Sequence, residues 1–141
     1  MKEKGWEVKA SAVIPDEQQM IAGKLIEFAD ELQLDLIITT GGTGFSPRDV
    51  TPEATLTVVE KRAPGLAEAM RLESLKVTPM AMLSRAEAGI RGRSVIINLP
   101  GSPKAVRECL AVVMPALGHG IEILQGLTGD CARNLKQYPQ A

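Results

Sequence analysis

Residues 35–59, DLIITTGGTGFSPRDVTPEATLTVV, change character twice within 25 positions. DLIITT (35–40) is a short run of β-formers with no polar alternation, which predicts a strand covered on both faces. GGTGFSPRD then places three glycines within four residues, a composition that permits positive φ and close approach of backbone N–H groups to a ligand. Thr51-Pro52-Glu53 opens a helix with a capping hydroxyl, a proline at the first helical position and a carboxylate in the first turn. That helix is expected to reach about Arg62 and to stop before Pro64-Gly65. A strand running through a glycine turn into a helix is the repeating unit of an α/β sheet, whose ligands sit beyond the carboxyl ends of the strands.

The flanking sequence repeats the alternation. VKASAVI (Val8 to Ile14), bounded by Gly5 and Pro15, predicts a strand. Asp16 with Gln19 three residues on forms a capping pair, and Ile21, Leu25, Phe28 and Leu32 fall on one helical stripe. A helix is expected from Gly65 to Lys76, followed by a short strand around Met80 to Leu83. RSVIINLPGSPKAV predicts a strand from Ser94 to Asn98, a glycine loop, and a helix capped by Ser102. Val106, Leu110, Val113, Leu117, Ile121 and Leu124 form its apolar stripe, with a kink at Pro115. His119 lies off that stripe, as a surface or interface residue. The whole gives a three-layer α/β/α domain with a mostly parallel sheet. One domain spans 1–141, with its core at about 8–125 and a polar tail at 126–141.

Bulk composition narrows the function classes. A net charge of −1 gives no basic excess for nucleic acid or an anionic membrane. No apolar stretch approaches the ~20 residues of a membrane span, and MKEKGWEVK lacks the apolar core of a secretion signal. Two distant cysteines, Cys109 and Cys131, and one histidine make a zinc site a poor fit and suit reduced thiols in the cytoplasm.

Both glycine loops, 41–44 and 98–102, leave strand ends and are expected at one rim. A row of amides beside a helix N-terminus favours an anion, usually phosphate, though a tight turn with no ligand has the same composition. Lys104 adds positive charge to the second loop. Asp49 admits two readings. A carboxylate among phosphates needs a bridging cation such as Mg²⁺, whereas an aspartate before a helix also serves as a turn former. Arg48 either holds a phosphate or pairs with Asp49. Asp16 is either a helix cap or a second acid facing the rim. Ser84 and Arg85 are either ligand contacts or ordinary loop groups.

TTGGTGFSPRDVTPEAT, with PGLAEAMR, TPMAMLSR, AGIRG and INLPGSPKAV, resembles the molybdopterin adenylyltransferase (MoaB/Mog) family, which includes the G domains of gephyrin and its plant counterpart. The resemblance runs from about Val8 to Leu124. RDVTPE and LSRAEAGIRG favour the Mog and gephyrin side over the MoaB branch. It implies a trimeric enzyme that uses Mg²⁺ and ATP to adenylylate the terminal phosphate of molybdopterin, releasing pyrophosphate and supplying a downstream molybdenum insertase. Carried over by motif, Asp49 and Asp16 match the two important acidic positions, with Asp49 as metal ligand or phosphate orienter. Gly41, Gly42, Thr43 and Gly44 would contact phosphate, and the loop Asn98, Pro100, Gly101 and Ser102 would line the same pocket. Arg48 and Ser84 complete the candidate set. Against the family pattern, the chain starts at what resembles the end of the family's first helix. The resemblance therefore implies that an initial strand ending in Ser-Asp is missing. Two further readings stand beside the enzyme: a molybdopterin- or nucleotide-binding module without turnover, and a subunit whose main property is assembly.

Overall fold

The structure is a computed structural model and describes residues 5–127. Its elements run α1 (Gln18–Ile26), a π-helical turn (Glu27–Glu31), β1 (Leu36–Thr40), α2 (Thr51–Val58), β2 (Lys61–Arg62) and α3 (Pro64–Leu75). A 3₁₀ turn (Pro79–Leu83), β3 (Ala88–Arg91), β4 (Ser94–Leu99) and α4 (Pro103–Leu124) follow. The strands are ordered β1-β4-β3-β2.

β4 organises the sheet because all six of its residues are buried. Val95, Ile97 and Leu99 pack with Cys109, Val113, Leu117 and Ile121 of α4 and Met70 of α3. Ile96 points the other way, into Ile21 and Leu25 of α1, Ile37 of β1, and Ala54 and Val58 of α2. The period-2 alternation of a strand thus separates two cores, with α3 and α4 over one face and α1 and α2 over the other. This is the expected three-layer architecture. The sheet is less parallel than expected: β1 runs parallel to β4, while β4–β3 and β3–β2 are antiparallel.

Several local expectations are corrected. Val8–Ile14 forms no strand. Val13 is fully exposed, and the backbone of residues 6–14 bonds to no described residue. β-propensity makes a strand only where a partner ladder exists. Asp16 does not cap α1; Glu17 occupies that position, with no side-chain cap. The π turn widens the helix after Ile26, so Ala29 is buried in place of Leu32, which is 49% exposed. β1 is covered less evenly than expected, with Ile37 buried and Leu36 and Ile38 half-buried. Thr51 begins α2 without a side-chain cap bond, and α2 ends at Val58 instead of Arg62. Lys61 and Arg62 are pulled into pairing with Ile90 and Gly89. Met80–Leu83 is a 3₁₀ turn, with Pro79 in its first turn and the Thr78 hydroxyl accepting from Met80 N–H (3.2 Å).

Other expectations hold. α3 covers the expected span, and the Ser102 hydroxyl caps α4 at Ala105 N–H (3.1 Å). Cys109 is a free, buried thiol, whose pKa burial pushes up while a weak contact to Ser74 opposes. Cys131 and most of the expected tail lie outside the described residues.

Candidate functional site

β1 ends at Thr40, and the chain turns through Gly41 (φ +84°) and Gly42 (φ +71°), in the left-handed region where glycine costs little. Gly41 N–H donates to Leu99 C=O (3.0 Å), tying the turn to the end of β4. A Cβ on Gly101 would lie 3.5 Å from Gly41 Cα, so the two glycine loops touch at one rim as expected. Thr51 N–H donates to Gly42 C=O (3.2 Å), joining the turn to α2. A Cβ on Gly42 would lie only 2.3 Å from Thr51 Oγ1, so a larger residue has no room there.

Two cavities flank this turn. One, of about 330 Å³, is lined by Asp16, Lys24, Thr39, Thr40, Gly41, Gly42 and Thr51 among others. The second, of about 280 Å³, is lined by Thr43, Gly44, Met70, Ser84, Asn98, Pro100 and Cys109 among others and is mostly apolar. Thr51 (5% exposed) faces the first and Thr43 (7% exposed) the second, and neither hydroxyl bonds to a described residue. A buried hydroxyl left unpaired costs about 1–3 kcal/mol. Both cavities therefore offer a polar group that a ligand or water would complete.

The Asp49 carboxylate is half committed. Its Oδ2 accepts from Gly44 N–H and Ser46 N–H, both at 3.1 Å, which is the turn-former arrangement. Its Oδ1 bonds to no described residue. Arg48 is exposed, and its guanidinium pairs with no described carboxylate, Asp49 included. Asp16 is exposed at the mouth of the first cavity.

Asn98 is fully buried, and its amide is spent within the protein. Its Nδ2 donates to Thr39 Oγ1 (3.0 Å) and Thr55 Oγ1 (2.8 Å), and its Oδ1 accepts from Glu87 N–H (3.1 Å). The Ser84 hydroxyl accepts from Ala86 N–H (3.3 Å), and its carbonyl accepts from Arg71 (3.3 Å). Gly101 and Ser102 are exposed on the rim, and Lys104 leans toward Glu108 (4.0 Å). Asp16, Gly41 and Gly42 thus meet at one cavity, and Thr43, Gly44, Ser84, Asn98 and Pro100 at the other. Arg48, Asp49, Gly101 and Ser102 line neither.

Sequence reasoning missed one arrangement. Arg85 reaches 32 residues back to Glu53 Oε2 (2.5 Å), and its other guanidinium nitrogens reach Gly44 and Asp49 carbonyls. The bond to Glu53 is the main cause raising the Arg85 pKa above its ordinary value. No local spacing encodes such a contact; the only signals were an arginine in an unassigned loop and an acid in the first turn of α2.

Residues 1–119 match the family model described as "Probable molybdopterin binding domain". A molybdopterin adenylyltransferase from Helicobacter pylori is 52% identical over 114 residues, covering 81% of this chain and 65% of that protein. The Escherichia coli molybdopterin adenylyltransferase is 49% identical over 113 residues, covering 77% and 58% respectively. The chain thus spans somewhat under two thirds of the length of these relatives. Among solved structures, the molybdopterin biosynthesis enzyme MoaB of Thermus thermophilus superposes with a TM-score of 0.80 at 54% identity, over 85% of this chain and 76% of that one.

Proposed function

This chain belongs to the "Probable molybdopterin binding domain" family, and from that premise we propose that it is a molybdopterin adenylyltransferase, transferring AMP from ATP to the terminal phosphate of molybdopterin. The observation carrying this reading is the Gly41–Gly44 turn, tied to β4 through Leu99 and flanked by two cavities, with one oxygen of Asp49 free beside it. Two relatives of about 50% identity that bear the same name support it.

The attacking group in this reaction is a phosphate monoester oxygen, so no protein nucleophile is needed. One of its oxygens forms a bond to the α-phosphorus of ATP as the bond to the bridging oxygen breaks, and pyrophosphate leaves. The residues then have two tasks, positioning and charge stabilisation. The amides of the glycine turn hold phosphate oxygens. The orphan hydroxyls of Thr43 and Thr51 bond to the groups occupying the two cavities. Asp16 holds pterin or cation at the mouth of its cavity. Arg48 supplies exposed positive charge.

Mg²⁺ fits this donor set in a limited way. No group of three His, Cys, Asp or Glu among the described residues forms a protein-only metal cage. A single free carboxylate oxygen suits a hard cation that takes most of its ligands from substrate phosphates and water. Asp49 Oδ1 is the residue atom that would hold it, and the ion would neutralise charge on the phosphates. The reading extends to a cytoplasmic homotrimer that passes its product to a molybdenum insertase. No helix among the described residues is long and apolar enough to cross a membrane.

The test is chromatographic detection of adenylylated molybdopterin after incubating the 141-residue chain with molybdopterin, ATP and Mg²⁺, beside Asp49→Asn. Product from the wild type, falling by about 100-fold or more in the variant, is the expected result. A folded wild type that binds nucleotide without forming product would replace this reading with that of a binding module. Full activity in Asp49→Asn would remove Asp49 from the mechanism.

A further inference from the structure

Arg85 is held from behind. Its own N–H donates to Thr43 C=O (2.8 Å), and the next residue, Ala86, is buried at 4% exposure. From that base its Nε donates to Gly44 C=O (2.8 Å), one terminal nitrogen to Asp49 C=O (2.7 Å) and the other to Glu53 Oε2 (2.5 Å). The fork therefore grips both ends of the Gly44–Asp49 turn and the first turn of α2 together.

Among the described residues, the turn is otherwise held only by bonds among its own residues, including Asp49 N–H to Ser46 C=O (2.9 Å). Residues 45–48 are exposed, Phe45 at 68%, so they contribute little apolar burial. Within the turn, side-chain bonds are limited to Asp49 Oδ2 with the Gly44 and Ser46 amides and a long contact (3.4 Å) between Arg48 N–H and Ser46 Oγ. Arg85 lines neither flanking cavity. Its leverage is on the loop, not on a bound group.

We propose that Arg85 is the positioning residue of this rim, fixing the Gly44 and Asp49 carbonyls so that the Asp49 carboxylate stays turned toward the substrate phosphates. The last clause rests on the adenylyl-transfer reading; the clamp on the loop does not. Lysine cannot replace the clamp, because a single ammonium offers no planar fork to span three acceptors in fixed directions.

The experiment compares the wild type with Arg85→Lys, and with Arg91→Lys as a control. Arg91 makes a similar fork to Asp30 and to Val58 C=O, but it is not part of the loop clamp. Amide exchange is followed by NMR at Gly44, Ser46, Ile96 and Ile97, with kcat and KM measured alongside. In Arg85→Lys, exchange at Gly44 and Ser46 should accelerate at least about 10-fold while Ile96 and Ile97 in β4 stay protected. A misplacement of about 1 Å costs on the order of 100-fold, so kcat should fall about 10- to 100-fold, with a loss in Tm no larger than that of Arg91→Lys. Unchanged exchange at Gly44 and Ser46 overturns the clamp, and so does acceleration that spreads equally to β4. Unchanged kcat overturns the positioning role. If the wild type makes no product, the adenylyl-transfer reading fails, and the exchange data still decide the clamp.

Discussion

Replacing Asn98 with alanine should destabilise the domain by about 3–5 kcal/mol, the largest loss expected from any single polar residue at the rim. Asn98 is fully buried, and its amide joins β1 through Thr39, α2 through Thr55 and the entry to β3 through Glu87 N–H. The truncation leaves the Thr55 hydroxyl, itself fully buried, and the Glu87 amide without partners. Each orphaned group costs about 1–3 kcal/mol, and the void left by the carboxamide adds to that. At roughly 2–4 °C per kcal/mol for a chain of this size, Tm should fall by about 10 °C. The assay is thermal unfolding followed by far-ultraviolet circular dichroism, repeated with saturating nucleotide. A fall of less than about 3 °C would refute the reasoning and return Asn98 to the role of ligand contact. In that case the nucleotide-induced rise in Tm would shrink while the unliganded Tm held.

Gly42→Ala adds a Cβ 2.3 Å from Thr51 Oγ1 at φ +71°, with the left-handed conformation alone costing about 1–2 kcal/mol. Thr51→Ala in the same chain should recover the part of the loss due to overlap and leave the conformational part; urea unfolding that shows strict additivity would refute the contact. A third prediction concerns Asp30, whose pKa is lowered chiefly by its hydrogen bond from Arg91. A carboxylate with a folded-state pKa below its unfolded value, near 4, stabilises above that value and loses its contribution as pH falls through the folded one. The gap in urea midpoint between wild type and Asp30→Asn should therefore be present at pH 7 and close below pH 4. A gap of equal size at pH 3 would show that the ion pair is not its source.

The parts of the fold legible in the sequence were those whose cause is local. Leu36–Thr40, Ser94–Leu99 and the helix after Ser102 carry their own apolar pattern and caps, and each stands within a residue or so of its expected place. The meeting of the two glycine loops followed from both leaving strand ends. What failed depended on partners elsewhere. Val8–Ile14 has strand composition and no ladder among the described residues, whereas Lys61–Arg62 has helical context but pairs with β3. Wherever tertiary pairing competed with propensity, pairing won. Among site residues, Asp49 is a turn former through Oδ2, while its Oδ1 bonds to no described residue. The family resemblance implied that Asn98, with the loop it opens, would line the ligand pocket. That it reaches Thr39 and Thr55, 59 and 43 residues away, could not be read from spacing.

The same division separates chemistry from accuracy at the rim. Residues 39–53 carry nearly every group the proposed reaction uses: glycine amides, two hydroxyls without described partners, an exposed guanidinium and a half-committed carboxylate. Bonds within the segment, from the Gly44 and Ser46 amides to Asp49 and from Thr51 N–H to Gly42 C=O, shape the loop, but its tie to the sheet comes from elsewhere. Gly41 is held by Leu99, Thr39 and Thr55 by Asn98, and Gly44, Asp49 and Glu53 by Arg85. A phosphoryl-group transfer without a protein nucleophile depends on placement, so a contiguous motif supplying the right atoms is insufficient by itself. The three holding residues all come from 85–99, the segment that forms β3, β4 and the approach to them. Substitutions there should damage turnover as much as substitutions in the glycine loop, though no ligand need touch them.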